Sequence, residues 1–153
     1  GRAARLAAWR GIADLVFLDV PCTGSGTWRR NPDLRWRHDA SAVADLQARQ
    51  ARLIDEARDL LCPGGRLVYA TCSLLTGENE AQVAAACARH PALRLEDYRR
   101  TWRRIWCQSW PSVPSRCPDT ASHDPSCLLL TPARHGTDGF FVAVLRLSEP
   151  VRR

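Results

Sequence analysis

The stretch ADLVFLDVPCTGSGTWRRNPDLRWR, residues 13–37, starts as an apolar run and ends among glycines, prolines, arginines and tryptophans. Residues 13–20 read as a β-strand buried on both faces, the pattern of a parallel sheet. The strand exits through Asp19, Pro21 and Cys22. A strand that only fills a core needs no acid, proline and thiol at its end, so this exit is a candidate site.

Working outward, the loop 21–38 leads into a helix. Val43, Leu46, Leu53, Ile54, Ala57, Leu60 and Leu61 recur at helical intervals, which predicts a helix over about 41–61, stopped by CPGG at 62–65. RLVYATC, 66–72, is a second buried strand. Thr76 is a candidate cap for the next helix. Glu78 and Glu80 fall in its first turn, where the helix dipole favours acids, and it ends near His90–Pro91. Strand and helix alternating at this spacing predict an α/β fold with a mostly parallel sheet, right-handed crossovers and helices on both faces. CLLLTPARHGTDGFFVAVLRL, 127–147, holds two apolar runs around a turn with Gly136 and Asp138–Gly139, which predicts a closing antiparallel hairpin.

Composition narrows the classes. The chain has 153 residues, enough for one domain with a core, and a net charge of +6. A basic balance favours polyanionic partners. All 22 basic residues are arginine, and arginine with abundant alanine also follows from a GC-rich coding sequence, so the count alone decides little. None of the seven cysteines forms a Cys-x-x-Cys pair, which argues against a zinc site. They sit in apolar segments, as free thiols do in a reducing, cytoplasmic setting. No apolar run reaches the length of a membrane span. Residues 99–127 break the pattern. They hold three of the six tryptophans, three of the seven cysteines and no periodicity, and read as an insertion or an out-of-frame segment.

In open parallel sheets, ligands sit at the carboxyl ends of the strands. Both buried strands end in reactive residues: Asp19, Pro21 and Cys22 on one, Thr71, Cys72 and Ser73 on the other. If the strands are neighbours, Cys22 and Cys72 face one crevice with Asp19 beside them. The alternative is that each thiol packs as a small hydrophobe, the reading that fits Cys62 and Cys87. Glycines 24 and 26 allow close backbone approach, Arg29, Arg30, Arg35 and Arg37 suit phosphates, and Trp28 and Trp36 offer stacking faces.

These residues carry a resemblance. DVPCTGSGTWRRNPDLRWR resembles the Asp-x-Pro-Cys signature of RNA cytosine-5 methyltransferases of the RsmB-like (Fmu/Sun) and NSUN type, with Thr23 where a serine is commoner. ATCSLLTGENE is similar to that family's Thr-Cys-Ser and Glu-Asn-Glu signature, and HGTDGFFVAVLRL to its closing strand. The resemblance implies a Rossmann-like methyltransferase fold, S-adenosylmethionine as donor, and an RNA substrate, 16S ribosomal RNA for the bacterial type. It implies that Cys72 is the nucleophile that adds to cytosine C6, that Cys22 assists elimination, and that Asp19 contacts the ring near N3. Asp19 and Pro21 would face the cofactor. Arg29, Arg30, Trp36, Arg37 and Phe140 would contact RNA.

No glycine-rich strand-to-helix turn suited to the cofactor occurs in residues 1–153. The chain therefore reads as the C-terminal part of one catalytic domain, with the cofactor lobe before Gly1. Alone it is expected to be monomeric, metal-free and nearly inactive. Three alternatives stand beside this reading. One is a DNA cytosine-5 methyltransferase with Cys22 as nucleophile. Another is an inactive fragment that at most binds RNA. The third is a thiol hydrolase, which lacks a histidine at a comparable strand end.

Overall fold

A computed structural model describes residues 6–107 and 117–149. The main elements are β1 (Ala13–Asp19), α1 (Ala40–Leu60), β2 (Leu61–Thr71), α2 (Glu80–Arg89) and β3 (Leu93–Glu96), then α3 (Tyr98–Trp102), β4 (Leu128–Leu130), α4 (Pro132–His135) and β5 (Phe140–Leu147). The five strands form one sheet in the order β1-β2-β5-β3, and β4 also pairs with β5. β1 runs parallel to β2, while β5 runs antiparallel to β2, β3 and β4. Four strands thus point one way and β5 alone opposes them. β4 and β5 form the expected closing hairpin, with Leu128 opposite Val142 and Leu130 opposite Phe140.

The helix α1 is capped by Asp39, whose carboxylate accepts from the Ala42 N–H at 2.8 Å. This satisfies one of the orphan donors of the first turn. Gln50, Ile54 and Ala57 form its buried stripe. On α2 the buried residues are Gln82, Val83 and Ala86. Both stripes meet the sheet face carrying Leu67, Tyr69, Phe141, Ala143 and Leu145, and together they make one core. The two helices are also tied to each other, because Asp55 accepts from Arg89 at 3.0 Å and lies 2.7 Å from His90 Nε2.

Two expectations change. β1 is not buried on both faces: Leu15 and Phe17 are 60% and 61% exposed. β1 ends the strand order with β2 as its one neighbour, and among the described residues nothing covers its second face. CPGG does not sit between helix and strand. It lies within β2, where the pairing jumps from Ala13–Leu61 to Leu15–Arg66, so the extra residues bulge out of the ladder. Gly65 is required there, since a Cβ would sit 2.8 Å from the carbonyl oxygens of Ala13 and Cys62.

Residues 99–107 are helical, with a π-turn at Arg103–Cys107, and 108–116 lie outside the described residues. Residues 117–127 are irregular but bonded into the domain. The Tyr98 hydroxyl donates to Pro118 O at 2.7 Å, Thr120 Oγ1 donates to Cys127 O at 2.8 Å, and Cys127 is fully buried. Among the described residues no helix is long and apolar enough to cross a membrane.

The two sheet faces make a direct stability test. Ile54→Ala removes a fully buried side chain and is expected to lower the unfolding free energy by about 2–5 kcal/mol. Leu15→Ala, on the exposed face, is expected to change it by no more than about 0.5 kcal/mol. Urea denaturation midpoints compare the two.

Candidate active site

Asp19 pairs in register with Ala70, and the Val20 N–H donates to Ala70 O at 3.1 Å. The segments leaving β1 and β2 therefore run side by side. This brings Cys22 Sγ within 3.3 Å of Cys72 Sγ, closer than two sulfurs in mere contact and consistent with one thiol donating to the other. Both residues are half-buried.

The two thiols are not equivalent. A hydrogen bond from Cys22 is the main influence on Cys72 and brings its thiol down to about 7, against burial and the charges of Asp19 and Glu78. Cys22 moves the other way, pushed up first by that shared proton and then by burial, and it is the deeper of the two. The direction of both shifts favours ionisation at Cys72, with the shared proton kept on Cys22. Asp19 is exposed on the lip beside them.

Backbone contacts hold the lip in shape. Gly24 takes φ 67°, a left-handed turn that turns the chain back after Thr23. The Gly26 N–H donates to Cys72 O at 2.9 Å, and Gly26 O accepts from the Gly139 N–H at 2.8 Å. A Cβ on Gly26 would fall 2.5 Å from Gly139 O and 2.8 Å from Cys72 O. Those neighbours are backbone and cannot swing aside. Three segments therefore cross here: the loops after β1 and β2, and the loop entering β5. Ser25 Oγ adds a bond from the Leu74 N–H at 2.8 Å.

The expected RNA-contacting residues divide. Arg30 Nε donates to Asp138 Oδ2 at 2.6 Å, and Arg29 reaches Asp138 Oδ1 at 3.5 Å. The Asp138 carboxyl is held below its usual range, chiefly by Arg30. These two arginines brace the loop against the β5 entry and still expose most of their side chains. Trp36 is 79% exposed, and the Arg35 guanidinium lies 5.2 Å over its ring. Arg37 is exposed, and Phe140 is partly exposed at the start of β5. Trp28 is half-buried, and its Nε1 is buried without a partner among the described residues. Pro21 O accepts from Gln50 Nε2 at 3.0 Å, so this carbonyl is already engaged from below. His135 accepts from the Thr131 N–H at 2.9 Å, a local capping role.

Sequence reasoning missed the floor of the site. Thr23, Ser25, Gln50, Ser73 and Glu78 are all buried and joined by hydrogen bonds beside the two cysteines. Thr76 makes no side-chain cap, and Glu78 turns inward rather than toward the start of α2. The one available signal was the short spacing from Cys72 to Glu78, which lets the chain fold back beneath its own thiol.

The family description 16S rRNA methyltransferase RsmB/F matches residues 3–146. The chain is 38% identical over 135 residues to a probable ribosomal RNA small subunit methyltransferase B of Synechocystis, covering 88% of this chain and 27% of that protein. It is 36% identical over 138 residues to ribosomal RNA small subunit methyltransferase B of Vibrio cholerae, covering 90% of this chain and 26% of that one. Among solved structures, NSun6 from Pyrococcus horikoshii with SFG superposes with a TM-score of 0.70 at 27% identity, over 97% of this chain and 33% of that chain. The chain thus spans about a quarter of the length of the curated relatives it matches. The Rossmann-like arrangement expected from the sequence agrees with these neighbours.

The shared proton sets a pH test. Iodoacetamide labelling of Cys72, read by mass spectrometry, is expected to rise through a midpoint near about 7. Cys22→Ala removes the S–H donor, so the midpoint is expected to climb toward the ordinary thiol value of about 8.5. Gly26→Ala is expected to slow Cys72 labelling at pH 7, because the added methyl forces apart the strands that place the two sulfurs.

Proposed function

The chain belongs to the RsmB/F family of 16S rRNA methyltransferases, and on that premise we propose that it carries the thiol chemistry of an S-adenosylmethionine-dependent RNA cytosine-C5 methyltransferase. One observation supports this most: two sulfurs 3.3 Å apart at the carboxyl ends of adjacent parallel strands, with an exposed acid beside them.

Cytosine C5 is a poor nucleophile. A thiolate that adds to C6 shifts electron density onto C5 and makes it reactive, so one hard step becomes several easier ones. Cys72 fills this role because its thiolate is available near neutral pH. S-adenosylmethionine, when bound, supplies the electrophilic methyl group that C5 takes. Loss of the C5 proton to a base then returns an electron pair to the ring, the C6–sulfur bond breaks, and Cys72 leaves as thiolate. Cys22, still protonated, stabilises that leaving sulfur with its S–H. Asp19, exposed at the strand end, would share a proton with ring N3 and offset charge that builds during addition.

The residues fit the cofactor on one side. An exposed carboxylate at a strand end suits a ligand with hydroxyl and amino groups, and Asp19 with Pro21 would form that wall. NSun6, solved with the S-adenosylmethionine analogue SFG, supports the same donor here. Among the described residues no glycine-rich turn passes directly from a strand into a helix, so we place the rest of the cofactor site on a lobe outside this stretch. RNA would lie across the basic rim. Trp36 and Phe140 offer faces to an unstacked base, and Arg35 and Arg37 offer donors to phosphates. Arg29 and Arg30 keep further N–H groups after binding Asp138. The target base must leave any stack to reach Cys72.

The DNA-type alternative through Cys22 has less support, because the shared proton and burial push that thiol up while Cys72 is brought down. The deciding experiment uses RNA containing 5-fluorocytosine, S-adenosylmethionine and the complete gene product that carries this chain. Fluorine at C5 blocks elimination and traps the adduct. Wild type and Cys22→Ala are expected to form it, and Cys72→Ala is not. An adduct that survives Cys72→Ala and disappears in Cys22→Ala reverses the assignment. Isothermal titration of the isolated chain is expected to show no micromolar binding of S-adenosylmethionine.

A further inference from the structure

Resting on the reading of Cys72 as nucleophile, we propose that Glu78 is a positioning residue whose buried carboxyl group joins the Cys22 loop to the Cys72 loop and thereby sets the distance between the two sulfurs. Glu78 is fully buried, with no solvent-exposed surface. Its Oε1 accepts from the Thr23 N–H and from Gln50 Nε2, each at 3.0 Å. Its Oε2 accepts from Thr23 Oγ1 at 2.6 Å and from Ser73 Oγ at 2.5 Å. Thr23 follows Cys22, and Ser73 follows Cys72. One carboxyl group therefore holds the residue next to each thiol.

The carboxyl group is itself fixed. The Tyr69 hydroxyl donates to the Glu78 main-chain oxygen at 2.6 Å. Asn79, next in sequence, accepts from Thr71 Oγ1 at 2.7 Å and donates to Ser73 O at 2.9 Å. The turn that carries Glu78 is thus fastened to β2 on one side and to the Cys72 segment on the other. A carboxyl group this deep is costly unless its lone pairs are filled. Here neutral donors fill them, and four of those contacts come from the two thiol loops. An apolar residue would fill the same space without linking the loops. A carboxylate presents two oxygens with about four lone-pair sites, so it can accept from both loops at once.

The geometry also separates positioning from a purely electrostatic effect. The Glu78 charge works against the Cys72 thiolate, and the hydrogen bond from Cys22 works for it. If Glu78 mattered only through its charge, neutralising it would make Cys72 easier to ionise. If it holds the sulfurs together, neutralising it weakens the Cys22 bond and makes Cys72 harder to ionise.

Glu78→Gln is the first variant. Its amide keeps the volume and one acceptor, but turns an N–H group toward the Thr23 and Ser73 hydroxyls. Thr23→Val is the second. It keeps the shape of Thr23 and removes one donor from the carboxyl group, so it carries the test if Glu78→Gln does not fold. The readout is the pH midpoint of iodoacetamide labelling at Cys72, taken without RNA or cofactor. Steady-state kinetics of the complete gene product accompany it. The expected result is a midpoint raised from about 7 toward about 8.5, with kcat down about 100-fold and KM little changed. A midpoint that stays put or falls, with kcat unchanged, overturns the proposal. Labelling needs no methyl transfer. A raised midpoint alongside an adduct that persists in Cys72→Ala would therefore retain the positioning role and refute only the assignment of the nucleophile.

Discussion

The parallel pairing of β1 with β2 governs the rest of the molecule. Parallel neighbours end at the same edge of a sheet, about 4.8 Å apart, so whatever follows them must emerge together. With Asp19 opposite Ala70, the residues that follow are Val20 to Cys22 on one side and Thr71 to Ser73 on the other. The ladder delivers both thiol-bearing loops to one edge of the sheet, where the sulfurs stand 3.3 Å apart. α1 makes this register achievable: a parallel connection needs a long crossover, and its buried stripe of Gln50, Ile54 and Ala57 fastens that crossover to the sheet. The reversed strand β5 completes the arrangement. Running against β2, it begins where β1 and β2 end, with Phe141 opposite Thr71. Its entry loop therefore reaches the same edge from the opposite direction, which is why Gly139 and Gly26 touch.

This edge was legible in the sequence because its causes are local. Apolar runs bounded by Pro21 and Ser73 marked both strands, and helical spacing across 41–61 marked the crossover that makes them parallel. From those elements Cys22 and Cys72 were expected to meet if the two strands were neighbours, and the pairing of β1 with β2 makes them so. What lay hidden depends on partners distant in sequence. Arg29 and Arg30 read as free phosphate ligands until the β5 entry brought Asp138 to them across more than a hundred residues. Glu78 read as a helix-dipole acid because that rule needs only its neighbours. Its inward turn depends on Thr23 and Gln50, which no window around Glu78 contains. Likewise, the apolar pattern of β1 predicts burial but cannot say whether a second layer is present, and Leu15 and Phe17 face outward here. CPGG followed turn chemistry at its surface but was absorbed into β2 as a bulge.

The charges are sorted by depth in a way that suits a polyanion reacting with a thiolate. Arginines occupy the rim, where Arg30 and Arg29 meet Asp138 and Arg35 stacks on Trp36. Beside the thiols, the ionisable group that bonds both Thr23 and Ser73 among the described residues is an acid, Glu78. The edge of the pocket is therefore positive, but among the described residues no cation figures in what shifts the Cys72 thiol. Thiolate character at Cys72 must come from another source.

That source is Cys22. Burial and two acids, Asp19 and Glu78, all favour the protonated form of Cys72, yet its thiol is brought down to about 7. The hydrogen bond from Cys22, with a smaller backbone hydrogen bond at Cys72, outweighs them, and an S–H bond weakens steeply with distance and angle. The reactivity of one cysteine thus depends on the placement of another, which depends in turn on the loops that Gly26, Thr23 and Ser73 hold in register. A cationic neighbour would tolerate drift, because Coulomb attraction falls off slowly. A thiol donor does not. A thiolate sustained by a second thiol rather than by a positive charge needs a rigid setting, and the buried hydrogen bonds around the Glu78 carboxyl group supply one.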